Sequence, residues 1–183
     1  MDNDQTDLAV DTDRLIKTMT DIRKRLGYET YDVSLLLVND EEMRNTNSNT
    51  RGVDAPTDIL SFPFHNAVEP GTLVDPEFDI PDYYNLGDMM LDVPYVIRRC
   101  QEDQQDNGDG GGMDDGEEED RGVSGAMATV YDPQDRINML LVHGMLHLVG
   151  HDHEDDDEYE AMVSKEEEIM EQLGILPEAT HQK

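Results

Sequence analysis

One short stretch, LVHGMLHLVGHDH at residues 141–153, constrains this chain more than any other. His143 and His147 are four residues apart, so on an α-helix both side chains lie on one face and their imidazoles can reach a single ion. A glycine follows, and a glycine that ends a helix turns the chain back, which would bring His151 or His153 to the same ion. Three protein ligands with a fourth position open are typical of a catalytic zinc site.

Ordinary polar residues on a helix surface are the alternative interpretation, because a lone pair of histidines at this spacing is a weak signal. Four of the six histidines of the chain, however, lie within eleven residues of one another. This clustering favours a metal site with His143 and His147 as ligands. The third ligand stays open between His151 and His153, of which we prefer His153.

The helix that carries the motif has a clear predicted start. Asp132 is suited to cap it, Pro133 fits the first helical position, and Asp135 interacts favourably with the helix dipole. Apolar residues at helical spacing should bury the side next to the histidines and hold them on a rigid element. These residues are Ile137, Leu140, Leu141 and Leu148.

The motif also resembles that of a known family. The residues from His143 to His153, HGMLHLVGHDH, are similar to the HGxLHLxGxDH signature of the YbeY family, metal-dependent endoribonucleases that act in ribosomal RNA maturation. The third ligand in that family is the last histidine, so the resemblance implies that His153 completes the site. Many members have tyrosine before the aspartate, where this chain has His151.

Two further segments carry the same resemblance. NTNSNTRGVDAPTDILSFPF at residues 45–64 is similar to the family's N-x-x-x-R-x-x-x-x-x-T-[DN]-[VI]-L-S-F-P segment, and LGDMML at residues 86–91 is similar to its L-G-D-[IV]-x-[IL] strand. Arg51 occupies the position of the family's functional arginine. From the residues alone, Arg51 could form a surface ion pair, hold a phosphate by two parallel hydrogen bonds, or neutralise charge in a transition state. The resemblance favours a role in the reaction.

Hydrophobic periodicity predicts a mixture of helices and strands. The expected elements are a helix from about residue 11 to Gly27, a strand over 31–38, a short helix after Asn39 and Asp40, strands over 58–62 and 86–91, a long exposed loop over 65–84, a helix from Pro94 through Arg99, the motif helix, and a closing helix that stops at Gly174. The resemblance implies an α+β fold with a small mixed β-sheet flanked by helices and a zincin-like metal-site helix.

The length of 183 residues suits one domain, which we place at residues 11–175. Residues 1–10 are expected to be a disordered N-terminus and residues 176–183 a dispensable tail. Residues 102–123 are acidic, glycine-rich and poor in apolar groups, which predicts a disordered insertion. A calcium loop is the alternative, but the segment lacks the alternating ligands and distal glutamate that such a loop needs.

The charge of the chain argues at first against a nucleic-acid partner. The formal net charge is −31, with 44 Asp and Glu against 13 Lys and Arg, whereas RNA attracts clustered basic residues. Ten of the acids lie at residues 102–120, and the rest are spread along the chain. Spread acidity suits a protein in concentrated salt, where a Debye length of about 3 Å at 1 M screens repulsion. We therefore hypothesise a salt-adapted cytoplasm.

Other features also favour a cytoplasmic protein without a membrane segment. Cys100 is the only cysteine, so no intrachain disulfide is possible, which fits a reducing interior. The N-terminal residues lack the apolar core of a signal peptide. The longest apolar run, around residues 137–149, is too short to span a bilayer. No feature of the sequence sets the oligomeric state.

Gly144 separates two enzyme classes that share this histidine spacing. In His-Glu-x-x-His metalloproteases, a glutamate at this position activates the metal-bound water. Phosphodiester hydrolysis fits the glycine better, with one Zn²⁺ on the three histidines and Arg51 offsetting charge at phosphorus.

The resemblance implies a zinc-dependent, single-strand-specific endoribonuclease in 3′-end maturation of small-subunit (16S-type) ribosomal RNA and in ribosome assembly. Single-stranded RNA, ribosomal RNA and the small ribosomal subunit are the implied partners. A metalloprotease-like hydrolase and a non-catalytic, metal-containing ribosome-assembly factor are the alternatives. Cleavage of peptides would indicate the metalloprotease-like hydrolase. Loss of stability on chelation, without any RNA cleavage, would indicate the non-catalytic assembly factor.

Salt adaptation makes a direct prediction about stability. The midpoint of thermal unfolding should rise between low salt and molar KCl, because screening removes repulsion among the carboxylates. Circular dichroism melts at constant pH measure this midpoint. A midpoint that stays level or falls across the KCl series would rule out the hypothesis.

Overall fold

The structure, a computed structural model, describes residues 10–106 and 127–175. The predicted tail, the predicted N-terminal segment up to residue 9 and most of the predicted insertion lie outside the described residues. The described elements, in chain order, are α1 (Thr12–Leu26), β1 (Asp32–Val38), α2 (Asp40–Arg51), β2 (Ile59–Pro63), β3 (Ala67–Glu69), β4 (Thr72–Leu73), a 3₁₀ turn (Pro81–Tyr83), β5 (Asn85–Asp92), α3 (Val93–Asp106), a second 3₁₀ turn (Met127–Thr129), α4 (Pro133–Leu148) and α5 (Asp156–Leu173).

A small mixed sheet and surrounding helices confirm the predicted α+β fold. The three-stranded sheet has the order β1-β5-β2, in which β1 runs parallel and β2 antiparallel to the central β5. Leu35 pairs with Met89, and Leu60 pairs with Met90. The strands β3 and β4 form a separate hairpin.

Gly87 explains how β5 fits between its neighbours. The register with β1 shifts between Asp32 and Ser34, so the strand is irregular at this point. Gly87 has a φ of +130°, and a Cβ there would lie 2.1 Å from the carbonyl oxygen of Phe62. Only glycine therefore allows β2 to approach β5 this closely.

Helix α2 is longer than the short helix predicted from the sequence. Its start has a capping box. The Asn39 side chain accepts hydrogen bonds from backbone N–H groups of the first turn, and the Glu42 carboxylate accepts one from the backbone N–H of Asn39. The buried side chain of Asn47 donates to the carbonyl of Ala55 at 2.8 Å, which ties the second half of the helix to the following loop. Arg51 is therefore the last residue of a helix.

Helix α3 also continues beyond its predicted end, to Asp106. Residues 102–106 are thus helical, although they fall within the range predicted as a disordered insertion. A partly buried ion pair provides the reason, because Asp103 accepts from the buried Arg136 of α4 at 2.8 Å. Tertiary contact stabilises a polar segment that lacks apolar residues of its own.

The segment predicted as a long exposed loop, residues 65–84, contains a hairpin and a 3₁₀ turn. The hydroxyl of Tyr28 donates to the carbonyl of Gly71 at 3.1 Å and accepts from the amide of Leu73 at 2.9 Å. The amide of Gly71 donates to the carbonyl of Val149 at 3.0 Å. These bonds fix the hairpin against the end of α4, an arrangement that periodicity could not indicate.

Helix α4 lies at the centre of the domain. It packs against β2 of the sheet and against α1, α3 and α5, and nearly all its residues from Arg136 onward are buried. Burial on all sides explains why its apolar residues are not confined to one stripe. Among the residues that the structure describes, no helix combines the length and hydropathy needed to cross a membrane.

Asp92 ends β5 and starts α3, and its side chain is fully buried. One carboxylate oxygen accepts from the amide of Tyr95 at 3.0 Å, while the other has no hydrogen-bond partner among the described residues. Burial, reinforced by the neighbouring Asp40 carboxylate, raises the pKa of Asp92 to about 6.

Asp92→Asn should therefore raise the free energy of unfolding at pH 8 by on the order of 1 kcal/mol. The pKa of Asp92 is higher in the folded than in the unfolded chain, so its contribution to stability falls as pH rises through about 4 to 6. The amide keeps the helix cap without the charge. Urea unfolding at pH 5 and pH 8 measures the effect, and Asp88→Asn, at an exposed position of the same strand, is the control. An equal response of both variants would contradict it.

Candidate metal centre

The sequence builds the candidate site at the C-terminal end of α4. The side chain of Asp132 caps the helix by accepting from the amide of Asp135 at 2.9 Å, and Pro133 occupies its first turn, as predicted. The helix ends at Leu148, and Gly150 follows with a φ of +89°. This left-handed conformation turns the chain back toward the helix. Glycine is suited to the position because residues with a side chain rarely adopt that conformation.

His143, His147 and His153 converge at this turn. The Nε2 atom of His147 lies 3.2 Å from Nε2 of His143 and 3.2 Å from Nε2 of His153. All three can present a ligand atom within 4.8 Å of the others, and they are the only such group of three or more possible ligands in the described part of the chain. The arrangement offers a metal ion three imidazole nitrogens.

The opposite ring nitrogens of two of these histidines are held in place. Nδ1 of His143 lies 2.6 Å from a carboxylate oxygen of the buried Glu166, and Nδ1 of His147 lies 2.9 Å from the backbone carbonyl of His151. A carbonyl can only accept, so Nδ1 of His147 carries the proton and its Nε2 has a free lone pair. Such contacts orient metal-binding imidazoles.

The electrostatic environment keeps His147 neutral. Burial, followed by the proximity of His143 and His153, lowers the pKa of His147 to about 3. Burial also lowers the pKa of His153. Ring nitrogens that point lone pairs at one another repel unless a cation or proton lies between them, so the donor set fits a bound metal ion.

The side chain of His151 lies away from this group. Its Nε2 faces Gly71 of the hairpin, where a Cβ would be 3.4 Å away. Only its backbone takes part, through the bond to His147. Of the two histidines left open by the residues, the turn therefore brings His153 to the pair on α4.

Gly144 occupies the tightest contact between α4 and the sheet. A Cβ at this position would lie 2.8 Å from Cδ1 of Ile59, 2.8 Å from Sδ of Met89 and 3.0 Å from Oγ of Ser61. No side chain fits here without displacing buried atoms. The glycine beside His143 is thus explained by packing.

Arg51 lies at the C-terminal end of α2 with its side chain exposed. It forms no ion pair with any residue that the structure describes, and no hydrogen bond links it to the three histidines. The surface ion pair, the alternative interpretation of Arg51, is thus not found among these residues, and its predicted role in the reaction stays a prediction.

Glu166 is the site residue that sequence reasoning missed. It lies on α5, where it shares the buried face with Met162, Ile169 and Met170. A glutamate at helical spacing within this apolar stripe is unusual, since carboxylates are rarely buried without a partner. A glutamate in an otherwise apolar stripe was therefore the signal from which a buried partner for Glu166 could have been predicted.

Comparison with known proteins identifies relatives over almost the whole chain. The family model described as Endoribonuclease YbeY matches residues 1–109 and 123–174. Endoribonuclease YbeY of Homo sapiens is 29% identical over 153 residues, covering 84% of this chain and 74% of that protein. Endoribonuclease YbeY of Halalkalibacterium halodurans is 30% identical over 183 residues, covering 94% and 98% of the two chains.

A third relative, Endoribonuclease YbeY of Rhodopseudomonas palustris, is 33% identical over 145 residues, covering 79% of this chain and 66% of that protein. The residues matched by the family model include the three clustered histidines, Arg51 and Glu166. The chain therefore belongs to the endoribonuclease YbeY family.

Proposed function

We propose that this chain is a zinc-dependent, single-strand-specific endoribonuclease that acts in 3′-end maturation of 16S-type ribosomal RNA and in ribosome assembly. Family membership supports endoribonuclease activity on an RNA substrate. The convergence of three histidine nitrogens at the end of α4 is the observation that carries the metal-dependent part of the proposal.

Zinc suits the donor set of His143, His147 and His153. Nitrogen ligands on a tetrahedral zinc ion stand about 3.3 Å apart, given bonds of about 2.0 to 2.1 Å. The two shortest separations among the three Nε2 atoms are 3.2 Å each. One ion per chain would leave a fourth position open. When bound, it would supply Lewis acidity that polarises a phosphoryl oxygen or makes a water molecule acidic near neutral pH.

Arg51 is the proposed catalytic residue from this chain. Five other arginines pair with carboxylates of the described residues: Arg14, Arg44, Arg98, Arg99 and Arg136. Arg51 has no such pair among these residues, a property that it shares with Arg25, so its guanidinium donors are available to a phosphate. In this role it would offset the negative charge that develops at phosphorus.

A metalloprotease-like reaction is not favoured. The expected glutamate would have to replace Gly144, and the buried side chains of Ile59 and Met89 fill the space that its Cβ would need. The chain thus has glycine where that class carries its usual general base. Ribosomal RNA, the small ribosomal subunit and a cytoplasmic location belong to the proposal, as the family resemblance implies.

Glu166→Gln should weaken zinc binding by roughly 10- to 100-fold, because a carboxylate orients His143 and makes it a stronger donor. Competition against a chromophoric chelator measures the zinc affinity without any RNA. Glu168→Gln is the matched control, since Glu168 lies on the same helix and pairs with the exposed Lys165. Equal zinc affinities of wild type and Glu166→Gln would contradict an orienting role.

Cleavage of a labelled single-stranded 3′ segment of ribosomal RNA in high KCl tests the function. Zinc-loaded wild type should cleave it, and His147→Ala, purified identically, should not. Within the same assay, Arg51→Ala should lower kcat by roughly 10²-fold or more, and Arg51→Lys should restore only part of it.

Equal cleavage by wild type and His147→Ala would reveal a contaminating nuclease. No cleavage by zinc-bound wild type would favour the non-catalytic assembly factor. In that case removal of the metal by a chelator would lower the midpoint of thermal unfolding, and no RNA cleavage would be seen with or without the metal. Casein hydrolysis that depends on His147 would favour the protease-like reaction.

A further inference from the structure

We propose that the exposed rings of Phe64, Phe78 and Tyr83 form a stacking platform for unpaired bases of the RNA substrate. This inference rests on the proposed function and adds how a strongly acidic chain holds its substrate. The acidic surface offers phosphates little attraction, whereas an aromatic ring binds the face of any base.

The three rings belong to a local concentration of exposed apolar side chains. Their relative exposures are 54% for Phe64, 53% for Phe78 and 37% for Tyr83. Of the ten large hydrophobic side chains exposed in the described residues, six lie at residues 64–83. Single exposed apolar residues are common, but such clustering marks an interaction surface.

Direct contacts connect the rings into one surface. The ring centroids of Phe64 and His65 are 4.9 Å apart, and those of Phe78 and Tyr83 are 6.4 Å apart. Nε2 of His65 lies 2.6 Å from the carbonyl oxygen of Tyr83, which joins the two pairs. The edge of the platform is further supported by Tyr31, whose ring lies 6.2 Å from that of His65.

The segment that carries the platform contacts the turn of the candidate metal centre. Phe64 is three residues before Ala67, so their Cα atoms are at most about 11 Å apart. Ala67 packs directly on Gly150, where a Cβ would lie 2.2 Å from the Cβ of Ala67. Gly150 is in the turn that brings His153 to His147. A short single-stranded segment can therefore span both.

The charge of the segment restricts how RNA could be held on the platform. Residues 64–83 contain five acidic residues and neither Lys nor Arg. This composition repels a phosphate backbone, so RNA on the platform would have to be held through its bases, and only unpaired bases expose their faces. It also predicts that affinity stays level or rises with KCl, the opposite of binding through phosphates.

Binding is measured in a His147→Ala background, which keeps the RNA intact. The probe is a fluorescein-labelled oligoadenylate, followed by anisotropy across a KCl series. Phe64→Ala and Tyr83→Ala should each weaken binding about tenfold, and Phe64→Tyr should retain it. Ile16→Ala, which removes an equally exposed apolar side chain from α1, should change nothing.

Phe78→Trp provides a direct readout, because the chain contains no tryptophan. Oligoadenylate should quench its fluorescence, while an abasic oligomer of the same length and a fully paired duplex should not. Normal affinity after removal of the rings, or equal binding of the abasic oligomer, would overturn the platform.

The two proposals fail in distinguishable ways. Cleavage that depends on His147, together with ring variants that bind normally, would reject only the platform. Absence of both binding and cleavage would reject the proposed function and the platform with it. If the ring variants lost binding to a basic peptide such as oligolysine but bound RNA normally, the same surface would be a protein-docking site. That result would overturn its assignment to RNA.

Discussion

The close packing of α4 against the sheet at Gly144 is the constraint on which the rest of the structure depends. The helix is buried on all sides, and the absence of a side chain beside His143 lets β2 and β5 approach its backbone. This contact fixes both the position and the rotation of α4. Two of the three clustered histidines are thereby held on the buried central helix of the domain.

The polar side of the site depends on a second set of contacts from elsewhere in the fold. Glu166 of α5 and the carbonyl of His151 occupy the outward ring nitrogens, so the inner nitrogens of His143 and His147 face each other. Burial makes these bonds more consequential, because unpaired polar groups are costly in a medium of low polarity. One carboxylate oxygen of Glu166 is buried without a hydrogen-bond partner among the described residues. The domain thus tolerates the free-energy cost of burying an unpaired carboxylate oxygen at the residue that orients His143.

The acidity of the chain reaches the edge of the site, because Asp152 and the acidic residues 154–158 flank His153. The formal net charge is −31, while burial keeps His147, at the centre of the site, neutral. Five of the eight described arginines are engaged by carboxylates of the described residues, whereas Arg51, the last residue of α2, is not, and neither are Arg23 and Arg25. Exposed rings next to the hairpin supply a contact surface whose strength does not depend on charge.

Local signals in the sequence were sufficient for several helix ends, for the three strands of the main sheet and for the histidine pair. Caps such as Asp132, the 3.6-residue period and the left-handed glycines act within one or two turns, so the ends of α1, α4 and α5 could be predicted. The extension of α3 could not be predicted, because it depends on Asp103 meeting Arg136 across 33 residues.

The sequence by itself determined the helical register of His143 and His147 and the mixture of helices and strands, and the resemblance of its motifs implied the α+β class. Only the tertiary structure decided that the turn at Gly150 brings His153 rather than the side chain of His151 to the pair, that Glu166 supports His143, and that the hairpin lies beside the site. The physical reason is range. A repeat or a cap is set by neighbours in the chain, whereas these contacts join distant segments and exist only after the core around α4 has packed.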